Sequence, residues 1–288
     1  MRCYQICANL SGHPVETGDS KGAVMVTEKF VEDGVVQSAQ PAIRTIGPGD
    51  LRDALAHGLA DFEAMPTHVV FLCLIYPIVM LASARVYAGY DVLPLVFPLL
   101  AGYTIVGPLV AIGMYELSRR RERNLDIFRA HAFDVLKLPS VGTIAKLSAL
   151  LTAIYFAWLA TAWIIYGQNF GGAVPDSIVA FAHQILTTSA GLTLIVVGCG
   201  AGFIFATVVF TLSVVSFPMV LDRGVDVSTA VQTSVRAVRA NPITMGMWAF
   251  IVASALLIGS LPFFVGLAIV LPVLGHATWH LYRKVVGP

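Results

Sequence analysis

Three times in this chain a short, partly polar stretch ends at a proline and gives way to an apolar run of membrane-crossing length. The prolines are Pro66, Pro139 and Pro242. Upstream, at matching offsets, stand Leu55, Leu59 and Phe62; Phe128, Ala132 and Val135; and Val231, Val235 and Val238. Spacings of four and three put each triplet on one side of a helix. Beyond each proline come two long apolar segments, so the chain reads as three helical hairpins on one plan, over about 50–115, 123–222 and 226–284. The expected fold is all-α: a polytopic membrane protein of six transmembrane helices in three hairpins, each preceded by a short amphipathic interfacial helix.

Composition agrees with that reading. Only 12% of the 288 residues are charged and 57% are hydrophobic, where a soluble domain carries about a quarter charged residues. A net charge of +1 gives no argument for a nucleic-acid partner. The expected spans are about 69–86, 93–114, 141–166, 185–215, 243–258 and 261–280. Asp50 is the expected N-cap of the first surface helix, whose Leu51, Leu55, Leu59 and Phe62 side faces lipid or the bundle.

Basic residues set the orientation. Arg119, Arg120, Arg121 and Arg123 follow the second span; Arg223, Arg236 and Arg239 follow the fourth; Arg283 and Lys284 follow the sixth. The opposite loops hold only Arg85. By the positive-inside rule the long loops and both termini are cytoplasmic, in a multi-pass protein of a bacterial inner membrane. Residues 46–288 form the expected six-span domain. Residues 1–45 read as a disordered cytoplasmic arm without a signal peptide, and Met25 is an alternative start to Met1.

Candidate sites gather at the cytoplasmic end. Glu116, Arg119, Asp222, Arg223, His276, His280 and Arg283 form an expected polar cluster there, with Glu116–Arg119 and Asp222–Arg223 as ion pairs. Tyr115, Trp279 and Tyr282 read as interfacial aromatic anchors. Gly198, Gly202 and Ala206 make a small-residue stripe on the fourth span, suited to close helix packing or a homodimer seam. His276 and His280 share one helix face, and His68 stands on the same side of the membrane. These three are weak candidates for a metal or haem. Two histidines on one helix cannot supply both axial ligands of a haem, His183 lies at the other end, and no cofactor is expected. Cys3 and Cys7 have poor zinc spacing, and Cys73 and Cys199 lie within apolar runs. No nucleophile elbow, zinc-protease motif or phosphate loop occurs.

The strings Gly107-Pro108 to Tyr115-Glu116-Leu117-Ser118-Arg119-Arg120, Pro218 to Leu221-Asp222-Arg223, Ala240-Asn241-Pro242 and Gly275-His276-Ala277-Thr278-Trp279-His280-Leu281-Tyr282-Arg283 carry a resemblance. Over about 42–286 the chain resembles a family of bacterial integral membrane proteins, domain of unknown function 2189. The resemblance implies six spans and an inner-membrane location, and brings no known activity, substrate or cofactor. Some relatives carry a label linking them to cytochrome oxidase subunit I, but the twelve spans and six membrane histidines of that core are not here.

The expected function is therefore non-catalytic: a scaffold, assembly or accessory protein, with a place beside a respiratory complex as one version of that role. Membrane lipids and either further copies or a membrane-protein partner are its expected company. Two alternatives stand beside it, a transporter or channel for a neutral or amphipathic solute, and a haem- or metal-binding membrane protein. The repeat plan motivates the former. The shortage of mid-membrane ionisable residues argues against ion coupling.

Overall fold

The computed structural model describes residues 41–65, 67, 93–101, 103–126, 128–262 and 264–287. The expected first span at 69–86, Met25, Pro66, His68 and three of the four cysteines lie outside the described residues. The described residues fold into α1 (Pro48–Ala64), α2 (Leu93–Ala101), α3 (Tyr103–Glu122), a 3-10 helix (Arg129–Lys137), α4 (Val141–Phe170), α5 (Ile178–Thr187), α6 (Ser189–Ser213), α7 (Ser216–Arg223), α8 (Val227–Ala240), α9 (Pro242–Ser260) and α10 (Leu267–Val285).

Among the described residues, three stretches are long and apolar enough to cross a membrane: α4, the α6–α7 run Ser189–Arg223, and α9. Their outward residues are large and apolar, with Phe203 and Phe250 each 73% exposed. Such surfaces are at home among lipid tails, where water would make them association-prone.

Local sequence explains most boundaries. Pro48 opens α1, with its fixed φ suited to a first helical turn, and the Asp50 carboxylate accepts from Gly47 N at 2.9 Å. The helix thus begins two residues before the expected cap, and Asp50 caps it from inside. Asp226 caps α8, accepting from Ser228 N and Thr229 N. Pro242 opens α9. Gly171 and Gly224, at φ +62° and +64°, end α4 and α7 in the left-handed conformation that glycine adopts without strain.

Two expected elements differ. The fourth span, expected as one helix over 185–215, is broken. Thr188 adopts an extended conformation and its hydroxyl accepts from Gly191 N, capping α6. A Cβ at Gly191 would meet the Ile185 carbonyl at 2.2 Å, so this reversal depends on glycine. The second amphipathic helix is not α-helical either, since Arg129–Lys137 winds as a 3-10 helix. Also, residues 41–45, assigned from sequence to the disordered arm, are tied down. Ile43 bridges antiparallel to Val286, and Asn241 holds Arg44 O and Ile46 N through its amide.

The core centres on α10, which packs against α1, α3 and α9. Trp279, Leu281, Tyr282 and Val285 are all 0–1% exposed. Its closest neighbour is α1. A Cβ at Gly58 would lie 2.6–2.8 Å from the N, Cα and Cβ of Ala277, so the two backbones touch. The buried side of α1 is Leu51, Ala54, Gly58 and Asp61. Of the expected Leu55–Leu59–Phe62 side, Leu55 packs at the edge of the core, and Leu59 is 47% exposed.

The small-residue stripe of α6 behaves unevenly. A Cβ at Gly202 would meet Trp158 of α4 at 3.3 Å, whereas Gly198 has open space around it. Gly58→Leu should therefore lower stability by about 1–3 kcal/mol through overpacking, while Gly198→Ala leaves it unchanged or slightly higher. Thermal unfolding in mild detergent distinguishes the two, and equal losses would refute the α1–α10 contact.

Candidate functional site

The close approach of α1 to α10 carries Asp61, on the last turn of α1, into a polar knot. Its Oδ2 accepts from Ser118 Oγ at 2.5 Å and from His280 Nε2 at 2.9 Å. Its Oδ1 accepts from Arg121 Nη1 at 2.6 Å. Ser118 Oγ also meets His276 Nδ1 at 2.7 Å. A carboxylate has no proton to give, so the Ser118 hydroxyl donates to Asp61 and its lone pair takes the Nδ1–H of His276. That chain leaves a lone pair on His276 Nε2, which is buried without a hydrogen-bond partner among the described residues. Asp61, Ser118 and His276 are 4%, 0% and 0% exposed.

Charge sets the state of Asp61. Burial alone would raise its carboxyl, but hydrogen bonds from His280 and Ser118, joined by the charge of His280, outweigh it and hold it below the usual carboxylate range.

A second knot surrounds Asp222 at the end of α7. It accepts from Tyr282 Oη at 2.9 Å and pairs with Arg123 and Arg283, each at 3.2 Å. Arg283 reaches on to Glu122 at 3.0 Å, and Trp279 Nε1 donates to the same Glu122. Glu116, 3% exposed, pairs with Arg119 at 2.6 Å and with Arg120 at 3.7 Å. Arg119 also donates to Leu221 O at 3.1 Å, stitching α3 to α7. Lys284 sits between Asp50 and Asp53, 3.1 Å from each.

The expected cluster is thus distributed. Glu116 and Arg119 pair as their spacing predicts. The Asp222–Arg223 pair does not form, because Arg223 turns to the carbonyl of Gly287 while Asp222 takes Arg123 and Arg283. His276 and His280 meet around Asp61, with His276 Nδ1 3.9 Å from its Oδ2. Tyr282 and Trp279, read from sequence as interfacial anchors, are 1% and 0% exposed and belong to the core. Sequence reasoning missed Asp61, Ser118, Arg121 and Glu122 as site residues. The available signal was the 3-4-3 spacing of Leu51, Ala54, Gly58 and Asp61, with a glycine in mid-helix where it costs about 1 kcal/mol against alanine.

No group of three His, Cys, Asp or Glu with metal-holding geometry occurs among the described residues. Cys199 is exposed on α6. What the arrangement does chemically is join elements: the carboxylates of Asp61, Asp222 and Glu122 take donors from other elements, while Glu116 lies 2.6 Å from Arg119 with its Oε2 making no hydrogen bond among the described residues.

Comparison with known proteins fits this picture. Residues 96–222 match the family model DUF2189, a predicted integral membrane protein. The DUF2189 match contains α3, α4, α6 and most of α7, with Glu116, Ser118, Arg119 and Asp222 among its residues. The resemblance read over about 42–286 is matched over this shorter stretch, which excludes Asp61, His276, His280 and Arg283. No curated protein and no solved structure matches the chain.

Asp61→Asn keeps the shape and removes the charge facing Arg121 and His280. Losing one partner of a buried pair costs about 3–5 kcal/mol, and the 39% exposure of Arg121 brings the expectation down to about 2 kcal/mol. Because the carboxyl is depressed, its contribution is full above the unfolded value near pH 4 and is lost as pH falls through the lower native value. Unfolding curves of wild type and Asp61→Asn in detergent should therefore converge on acidification. Parallel curves would refute the assignment.

Proposed function

We propose that this chain is a non-catalytic scaffold, assembly or accessory protein of a bacterial inner membrane. The observation that carries the reading is that its buried acids are consumed in joining helices. Asp61 links α1, α3 and α10; Asp222 links α3, α7 and α10; Glu116 and Arg119 brace α3 on α7. An enzyme of the usual kinds needs a base, an acid or a nucleophile open to substrate. Here Ser118 and His276 are sealed, and Asp61 and Asp222 already have their donors.

The apolar helices support the same view. Within α4, α6 and α9 the only Lys, Arg, Asp or Glu is Lys146, near the start of α4. Ion-coupled carriers place ionisable groups in such segments. Large outward faces on α6 and α9 suit lipid or partner helices.

The finer topology belongs to this proposal: six spans as three hairpins, with both termini cytoplasmic. Its support is that arginines from the ends of α3 and α10 meet acids from α1 and α7, which gathers these ends on one side of the bundle. The 172–177 loop, at the far end of a 30-residue helix about 45 Å long, has no Lys or Arg.

Two measurements test the reading. Single cysteines at Asn124 and at Ala173 should label from the cytoplasmic and the periplasmic side respectively; reversed or shared accessibility ends the topology. Purification in mild detergents should retain a defined oligomer or a stable membrane partner. A lone monodisperse monomer across detergents, or a Soret band in the purified protein, would overturn the scaffold reading.

A further inference from the structure

The 3-10 helix Arg129–Lys137 has three residues per turn, so residues three apart stack in columns. One column faces inward. Val135 is 5% exposed, and Ala132 lies against Gly113 of α3, where a Cβ would meet its methyl at 3.2 Å. A second column is polar: His131, Asp134 and Lys137. The third faces outward and is apolar, with Phe133 61% and Leu136 70% exposed. Phe128, just before the helix, is 67% exposed. An α-helical winding would have placed Phe128, Ala132 and Val135 together. The tighter winding splits the apolar residues into a buried stripe and an unpartnered one.

This sets the segment apart from α1 and α8. Both bury small residues against their neighbours: Ala54 and Gly58 in α1, Ala230, Ser234 and Ala237 in α8. Only the 3-10 helix turns two large apolar side chains of one column fully outward.

We propose that the Phe133–Leu136 stripe, with Lys137 and Lys146, is a seat for anionic phospholipid: rings and Leu136 in the glycerol layer, ammonium groups on the headgroup phosphates. The assignment rests on α4 spanning the membrane. The stripe leads into the first turn of α4, where Val141 is 37% exposed, and the outward side of α4 goes on to Phe156, 61% exposed. Lys146 lies on that outward side, exposed and without a partner among the described residues, five residues or about 7 Å along the helix. Its stem can follow the helix back to headgroup depth. Lys137 is 82% exposed and shares the single carboxylate of Asp134 with Arg120, at 3.0 and 3.3 Å. Two acids, Glu116 and Asp134, face three cations, Arg119, Arg120 and Lys137, which leaves positive charge at the stripe's edge. That balance favours an anionic lipid over a neutral one, and over a second copy of this chain, which would bring the same positive edge against it.

The test uses the full chain in nanodiscs of phosphatidylcholine with or without phosphatidylglycerol. Native mass spectrometry should show retained phosphatidylglycerol in preference to phosphatidylcholine. Lys137→Gln with Lys146→Gln should reduce that preference by about fivefold per lysine, and both are surface changes that leave folding intact. A bimane label on Phe133→Cys should be quenched by headgroup-level nitroxide lipid and protected from iodide. Equal retention of both lipids by wild type, iodide access to the label, or cross-linking of two copies through position 133 would each overturn the proposal. Alkaline carbonate extraction separates the two failures. Release from the membrane removes the spanning reading itself, while retention with an iodide-accessible label removes only the lipid seat.

Discussion

The contact between Gly58 and Ala277 determines where everything polar in this structure can sit. Two helices whose backbones touch can place groups one turn further on within hydrogen-bond reach. Asp61 follows Gly58 by three residues, and His276 and His280 flank Ala277. The bonds from Asp61 to Ser118, Arg121 and His280 span 2.5–2.9 Å, so a displacement by the width of one methyl would break all three. A buried carboxylate without donors is costly, several kcal/mol even after relaxation. Steric closeness and charge pairing therefore stand or fall together. The small residues bring the acid in, and the donors make its burial tolerable.

The same contact explains what could be read from the sequence. Proline-anchored repeats, the apolar lengths of α4 and α9, the glycine ends and the basic clusters all rest on local signals, and they stand out. The facing of α1 does not. Leu55, Leu59 and Phe62 read from sequence as a side toward lipid or the bundle, and hydropathy alone does not tell which side of the helix meets a neighbour. Where neighbouring surfaces are themselves apolar, close packing decides, and it selects Ala54 and Gly58. Asp61 then looks like a solvent-facing acid until the partner helix is known. The break at Thr188 was equally hidden, because an uninterrupted apolar run gives hydropathy nothing to register. A hydroxyl cap and a glycine are its only marks. For the 3-10 helix the residues were read correctly and the period was not, and the period decides which side chains share a face.

The three proline-anchored stretches of the sequence pack differently. Five residues before each proline stand Asp61, Asp134 and Ala237. The first two are taken by consecutive arginines of α3: Arg121 at 2.6 Å from Asp61 and Arg120 at 3.3 Å from Asp134. Ala237 is 0% exposed and carries no charge to be matched. The acid of the third position is supplied from elsewhere, since Arg123 takes Asp222 at the end of α7. The end of α3 is thus a hub whose cations each draw in a different element.

That hub bears on how a charge signal should be interpreted. The arginines after α3 are the strongest orientation cue in the sequence, yet in the folded chain Arg119, Arg120, Arg121 and Arg123 all have carboxylate partners. On the proposed topology the two uses are successive. Orientation is set while α3 enters the bilayer, and the matching acids on α7 and Asp134 are C-terminal to those arginines, reaching the membrane later. Once the helices assemble, the same cations cease to be a surface charge and become the pairs that hold α1, the 3-10 helix and α7 to α3. At the edge of that hub Lys137 shares Asp134 with Arg120 and keeps 82% exposure.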